Sequence, residues 1–333
     1  MSDIKINNIT DRTGDSGPIF AGISTVSTSG FMVMPSGPTE FRGGRGRAVV
    51  VLGATPSVVT TMDYFETATA GNATDFGDAR AARYQNGYGG MASGTRGVFQ
   101  GGASPSINII EYVTISSMGG ANDFGDHHRG ITNGNGQCAN GTRGLLAGGY
   151  LAPVNTNLID FITIATTGST SDYGEIDDGS TGGYSPMASS TRAVFARGEQ
   201  NLNYINFTSG GKTQIFGDMR GDSRTGHIAS CSNSTRGIMA GGEAPSRVNT
   251  ITFITIATLG NPTDFGDLLA GRNDQDSAAS QTRGFIVGGS NPAKTNTIEF
   301  ITFSSTGNAQ DFGDLTQARN QPLAFSDVHG GLG

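Results

Sequence analysis

Asp-Phe-Gly is a triplet whose carboxylate can hold magnesium against a nucleotide's phosphates. It stands in this chain at Asp75–Gly77, inside the run TDFGD. The same letters return as NDFGD (122–126), TDFGD (263–267) and QDFGD (310–314), with weaker copies SDYGE (171–175) and QIFGD (214–218). A reaction centre needs one such triplet, so six copies point to architecture. His127-His128 offers imidazoles for a metal, but adjacent strand residues point to opposite faces. With His227 and His329 they read as solvated loop histidines, and neither metal nor cofactor is expected. Cys138 and Cys231 fit neither a disulfide framework nor a zinc pattern and read as buried free thiols in equivalent apolar slots.

Other motifs fail on context. GDSGP (14–18) matches a serine-protease nucleophile loop, but that family places its His upstream, and the first His here is His127. The tripeptide RGD (220–222) reads as a chance loop match, and GGRGRA (43–48) does not join a strand to a helix as a dinucleotide loop would. Glycan cleavage needs two carboxylates flanking a cleft. Glu175, Asp177 and Asp178 form one dense acidic spot within a single loop, so an enzyme is not expected.

A formal charge of −7 argues against a nucleic-acid partner. There is no apolar run long enough to cross a membrane and no signal-peptide pattern, so synthesis in a cytoplasm without membrane insertion is expected. Glycine, at 53 residues, is the commonest type and Trp is absent, which suits closely packed strands.

A second anchor, Arg followed by Gly or Ala and an apolar pair, falls at Arg47, Arg96, Arg143, Arg192, Arg236 and Arg283, with gaps of 49, 47, 49, 44 and 47 residues. The aromatics of the first motif (Phe76, Phe124, Tyr173, Phe216, Phe265, Phe312) step by 48, 49, 43, 49 and 47. Two anchors on one beat define six copies of one unit. Each unit holds β-type runs such as TRGVFQGG (95–102) and INIIEYVTIS (107–116), punctuated by Gly turns. Four short strands per unit of this length predict a propeller blade.

The absence of Trp excludes tryptophan-aspartate repeats. The Gly pair closing the second strand (Gly101-Gly102, Gly148-Gly149, Gly241-Gly242, Gly288-Gly289) resembles the kelch repeat over residues 47–330, with Phe where kelch fourth strands carry Trp and ARG (196–198) in place of the fourth pair. The residues of a kelch-type copper oxidase site have no match here. The expected fold is all-β: a six-bladed kelch-like β-propeller over 47–333, closed by a C-terminal strand, behind an extended N-terminal arm, 1–46. The first unit lacks an innermost strand and the chain ends in a surplus one (318–330), which a closed ring requires. The repeated aromatics are expected to fill the gaps between blades, Gly77 and its copies to permit a bend, and Arg96 to pair with Asp78 or Asp126.

The stretch PSGPTEFRGGRGR (35–47), leading into NATDFGD-type repeats (72–78), resembles virion-associated proteins of tailed phages of marine bacteria, particularly cyanobacteria. That resemblance implies a virion location, with the arm docking onto other virion proteins or onto sibling copies in a homo-oligomer.

The turns between first and second, and third and fourth, strands are short and uniform (SGT, NGT, SST, NST; TAGNAT, TLGNPT). The opposite face carries loops that differ in every unit, which is where a ligand would be read. Candidates there are Tyr150, Leu151, Asp177, Asp178, Tyr184, Arg220, Arg247, Asn273 and Lys294. The leading expectation is a non-enzymatic tail or fibre adhesin binding a host glycan or receptor. The alternative is a capsid decoration or cement protein, and a glycan-active enzyme ranks last.

Overall fold

The computed structural model describes residues 46–84, 87–103, 105–132, 134–177, 183–197, 201–219, 224 and 227–332. Arm residues 1–45, Asp178 and Arg220 lie outside the described residues.

The chain folds as a six-bladed β-propeller, each blade built on a four-stranded antiparallel sheet, to which blades 1 and 3 add a short fifth strand. Blade 2, from inside outward, comprises Met91–Ala92, Arg96–Gly102, Ile107–Thr114 and Asn122–Asp126. Blade 3 comprises Asn135–Ala139, Arg143–Gly148, Leu158–Thr163 and Ser171–Glu175. Blade 4 takes Ser185–Ala188, Arg192–Ala196, Asn201–Asn206 and Gln214–Asp218. Blade 5 runs Ala229–Ser232, Arg236–Ala240, Thr250–Thr255 and Thr263–Asp267. Blade 6 runs Asp276–Ala279, Arg283–Val287, Thr297–Thr302 and Gln310–Asp314. Blade 1 is split as expected: Leu323–Ser326 from the end of the chain pairs with Arg47–Val51, followed by Ser57–Glu66 and Thr74–Arg83. The closing register sets Ala48 against Ser326 and Val51 against Leu323. The six inner strands touch in an unbroken circle, so the sheets leave no free inner edge.

The hydrophobic core lies between blades rather than within one. Each of six buried clusters spans two neighbours. Phe76 of blade 1 packs with Phe99, Val113 and Ile115 of blade 2, and Phe312 of blade 6 with Ala48, Val50 and Phe65 of blade 1. Full burial of one such ring stabilises by about 1.5–3 kcal/mol. The pairing shows why an aromatic stands at this point of each repeat. In blade 2, Ile110 opposes Gly125 and Glu111 opposes Asp123, which leaves Phe124 as the extra residue of a β-bulge. The same slip recurs in every blade. A bulge re-aims its side chain, and here it sends the ring into the next blade.

Besides the positive φ that suits the expected bend, the following glycine meets a second demand. Gly77 (φ 139°) lies so close to the neighbouring blade that an added Cβ would stand 2.4 Å from the Gly119 carbonyl oxygen. That approach lets the Gly119 amide donate to Phe76 O at 2.8 Å and the Ala121 amide to Asp78 O at 2.8 Å. At the closing junction the Gly71 amide donates to Phe312 O, again at 2.8 Å.

The expected pairing of Arg96 with Asp78 or Asp126 is corrected. Its guanidinium lies over the Tyr112 ring, 4.3 Å from the centroid, and donates to Ile164 O of blade 3 at 2.9 Å. All six anchor arginines do likewise. Arg47 reaches Ile115 O, Arg143 Phe207 O, Arg192 Ile256 O, Arg236 Phe303 O, and Arg283 Thr67 O and Ala68 O, which closes the circle. A planar cation stacked on its own blade's aromatic is held rigid, and its free donors then find the nearest orphan carbonyls in the next blade.

Candidate binding face

The two faces of the disc are built differently. One carries the short uniform turns, tied blade to blade by the glycine contacts and arginines above. On this side the tail returns over the inner strands. His329 Nε2 lies 2.7 Å from Ala92 O, and Gln281 Nε2 donates to His329 O at 3.0 Å. The axial channel is nearly filled. Inner-strand residues from Gly89 to Ser326, Cys138 and Cys231 among them, enclose about 50 Å³. Ligand pockets usually measure ~300–1,000 Å³. Both thiols are buried and free, and burial pushes Cys231 up to about 12. At the other end of the channel Gly89 N donates to both carboxylate oxygens of Asp276 at 3.0 and 3.1 Å, and Ala324 N donates at 2.8 Å. Burial nevertheless raises Asp276 to about 7, against the lowering effect of those amides.

The opposite face carries the variable loops. Tyr150 and Leu151 form one arm of a small hairpin with Val154–Asn155, whose tip exposes Val154 and part of Tyr150. Arg247 donates from Nε to Asn273 Oδ1 at 2.8 Å, and Asn273 Nδ2 donates to Glu243 Oε1 at 2.5 Å. Asn273 also bridges to Ser290, whose hairpin partner is Lys294. Arg247, Asn273 and Lys294 are thus brought together across blades 5 and 6, although Asn273 itself is buried. Asp177 stands apart, in an exposed ion pair with Lys212 Nζ at 2.5 Å. Tyr184 is corrected: it is fully buried, edge-on to Phe195, and forms core rather than loop surface.

Beneath these loops lies a second arginine series that the sequence reading missed. Arg83, Arg224, Arg272 and Arg319 are buried, Arg129 is partly so, and each reaches the following blade. Arg83 pairs with Glu111, Arg129 with Asp160, Arg272 with Glu299 at 3.1 Å and Arg319 with Asp63 at 2.8 Å. Arg224 instead donates to Thr252 Oγ1 at 2.7 Å. Burial lowers Arg319 from its ordinary range while Asp63 raises it. A signal was available: Asp63, Glu111, Asp160, Asn203, Thr252 and Glu299 all precede their repeat's aromatic by 13 residues. The arginines follow at variable distances of 5 to 8, which hides them from a fixed-period search.

The solvated-loop reading holds for His128 and His227, which are exposed, and is corrected at His127. His127 is buried and stacks on His128 with an 8° interplanar angle. Burial, together with the charges of His128 and Arg129, lowers His127 to about 3. His227 lies 2.6 Å from Asp274, and this bond raises it.

No family model matches the chain, and no curated protein matches it.

Proposed function

We propose that the chain is a non-enzymatic binding propeller of a virion that presents its variable-loop face to a glycan or protein on a host surface. One observation carries this reading: the asymmetry between the faces. The uniform turns are fixed to one another by backbone bonds and six arginines. The loops opposite differ in every blade and project two small hairpins, one of which exposes Val154 and part of Tyr150. A rigid framework with variable tips is how β scaffolds commonly display recognition surfaces. The axial channel, at about 50 Å³, is smaller than a usual ligand pocket, which also favours a surface over an axial site. The virion setting rests on the resemblance of residues 35–47 and the repeats to phage virion proteins, with the arm as the docking element.

The test is adsorption of purified, labelled chain to candidate host cells. A variant carrying Tyr150→Ser, Val154→Ser and Arg247→Ala should keep its melting temperature and lose most cell binding. Equal binding by wild type and variant would refute the assignment of the face. Particles coated with the chain on the capsid lattice, with host adsorption unaffected by its loss, would make it a decoration protein instead.

A further inference from the structure

The junction of blades 2 and 3 departs from the rest of the ring in two coupled ways. The residue three after the repeated aromatic is buried and apolar in five blades: Ala79, Ile176, Met219, Leu268 and Leu315. In blade 2 it is His127, equally buried, and its Nε2 has no hydrogen-bond partner. The second departure lies in the carboxylate opposite. At three other junctions one carboxylate oxygen is capped by the backbone amide four residues after the aromatic. Arg80 N donates to Glu111 at 2.8 Å, Leu269 N to Glu299 at 3.0 Å, and Thr316 N to Asp63 at 3.1 Å. At this junction the corresponding amide, His128 N, turns instead to Thr170 Oγ1 at 3.1 Å. Asp160 Oδ2 is left buried with no hydrogen-bond partner.

The two orphan atoms face each other: His127 Nε2 lies 3.2 Å from Asp160 Oδ2, and His128 Nδ1 lies 4.0 Å from the same oxygen. Leaving such groups buried without hydrogen bonds is destabilising, and an apolar residue, as in the other blades, would have avoided the histidine's share. We infer that His127, His128 and Asp160 form a binding site for a divalent transition metal of the zinc class.

The donor set and its spacing fit that ion. Zinc sits about 2.0–2.2 Å from imidazole nitrogen and carboxylate oxygen, which puts tetrahedral ligand atoms roughly 3.4 Å apart. A small rotation of His128, whose side chain is 36% exposed, brings the third ligand in. That rotation exchanges its 2.8 Å contact with Thr170 Oγ1 for the metal. Asp160 Oδ1 is already held by Arg129 Nε at 3.1 Å, so the carboxylate is oriented from behind, and Asp172 offsets the arginine's charge. His127 Nδ1 accepts only a long 3.4 Å contact from the Arg129 amide, which the ion displaces by moving the ring proton to Nδ1. Two imidazoles with one carboxylate favour zinc, cobalt(II) or nickel over magnesium or calcium. Three protein ligands leave a fourth position, on the exposed His128 side, for water or an oxygen of a bound partner.

The experiment uses the full, untagged chain, stripped with chelator, dialysed and titrated with Zn²⁺ by calorimetry, with Co²⁺ absorption as a second readout and Mg²⁺ as the control. One equivalent of Zn²⁺ should bind, Mg²⁺ should not compete, and bound Co²⁺ should show visible absorption of a low-symmetry site. His128→Ala, at an exposed side chain, should fold as wild type and weaken Zn²⁺ by more than about tenfold. His127→Leu, which installs the apolar type the other blades carry, should keep or raise the melting temperature and abolish binding. Absence of zinc binding by the wild-type chain, or unchanged affinity in both folded variants, would overturn the site.

Discussion

The ring closes where Gly313 of blade 6 meets Gly71 of blade 1, and a matched pair of substitutions measures how tight that junction is. Gly313 and Gly307 have nearly the same φ, 152° and 153°. A Cβ on Gly313 would stand 2.3 Å from Gly71 O and 2.5 Å from its carbonyl carbon, whereas a Cβ on Gly307 would meet nothing within 4 Å. Alanine at either site meets the same unfavourable φ, so their difference chiefly reports the collision. The colliding atoms are backbone and cannot rotate away, so the blades must separate by about an ångström. Overpacking of this kind costs about 1–3 kcal/mol. The separation also strains two bonds that cross the junction, Gly71 N to Phe312 O and Ala73 N to Asp314 O, both 2.8 Å. At about 1 kcal/mol each, they bring the expected difference to ~3–5 kcal/mol. For a domain of this size that is a melting-temperature gap of roughly 6–10 °C. Calorimetric melting of Gly313→Ala and Gly307→Ala, side by side with wild type, reads it directly. If the two variants melted within about 1 °C of each other, the close approach would not constrain the ring and the account of the repeated glycine would be wrong.

Two further predictions concern buried charge. Arg319→Met leaves the Asp63 carboxylate buried without its cation and should destabilise the chain by about 3–5 kcal/mol, while Arg319→Met with Asp63→Leu should recover most of the loss. Denaturant midpoints of the single and double variants check this, and an additive pair would refute the coupling. Asp276 is raised by burial to about 7, so its contribution to stability is fully present below the unfolded value near 3.8 and is lost as pH rises through 7. At ~1.4 kcal/mol per pH unit the decline amounts to about 4 kcal/mol. Asp276→Asn should flatten that part of the pH–stability curve, and an identical decline in the variant would assign it to other groups.

The strand count, the six-fold repeat and the closing strand were legible because each depends on local pattern. An apolar run bounded by Gly pairs must be a short buried strand, and a missing inner strand at one end needs a surplus at the other. The aromatic's place between blades was legible for the same reason, since one apolar ring per repeat has to be buried somewhere. The glycine after it carries a second constraint that local pattern does not announce, a carbonyl about forty residues away in the next blade. Arg96 was given a charged partner where the structure offers a ring and carbonyls, because charge alone says nothing about which group lies within reach.

Tyr184 shows the same limit at the candidate face: loop-like neighbours in sequence do not reveal that its ring turns into the core beside Phe195. His127 and His128 show it most sharply. On an ideal strand they would diverge, but the chain leaves the strand at Asp126, and the two rings stack against Asp160 of the next blade. The sequence by itself determined the number of blades, the strand order and the closure, since these follow from periodicity and from the need to pair every inner strand. Only the tertiary structure decided which side chains meet at the junctions between blades, because those meetings join residues distant in the chain, and their energies depend on ångström distances that no spacing encodes.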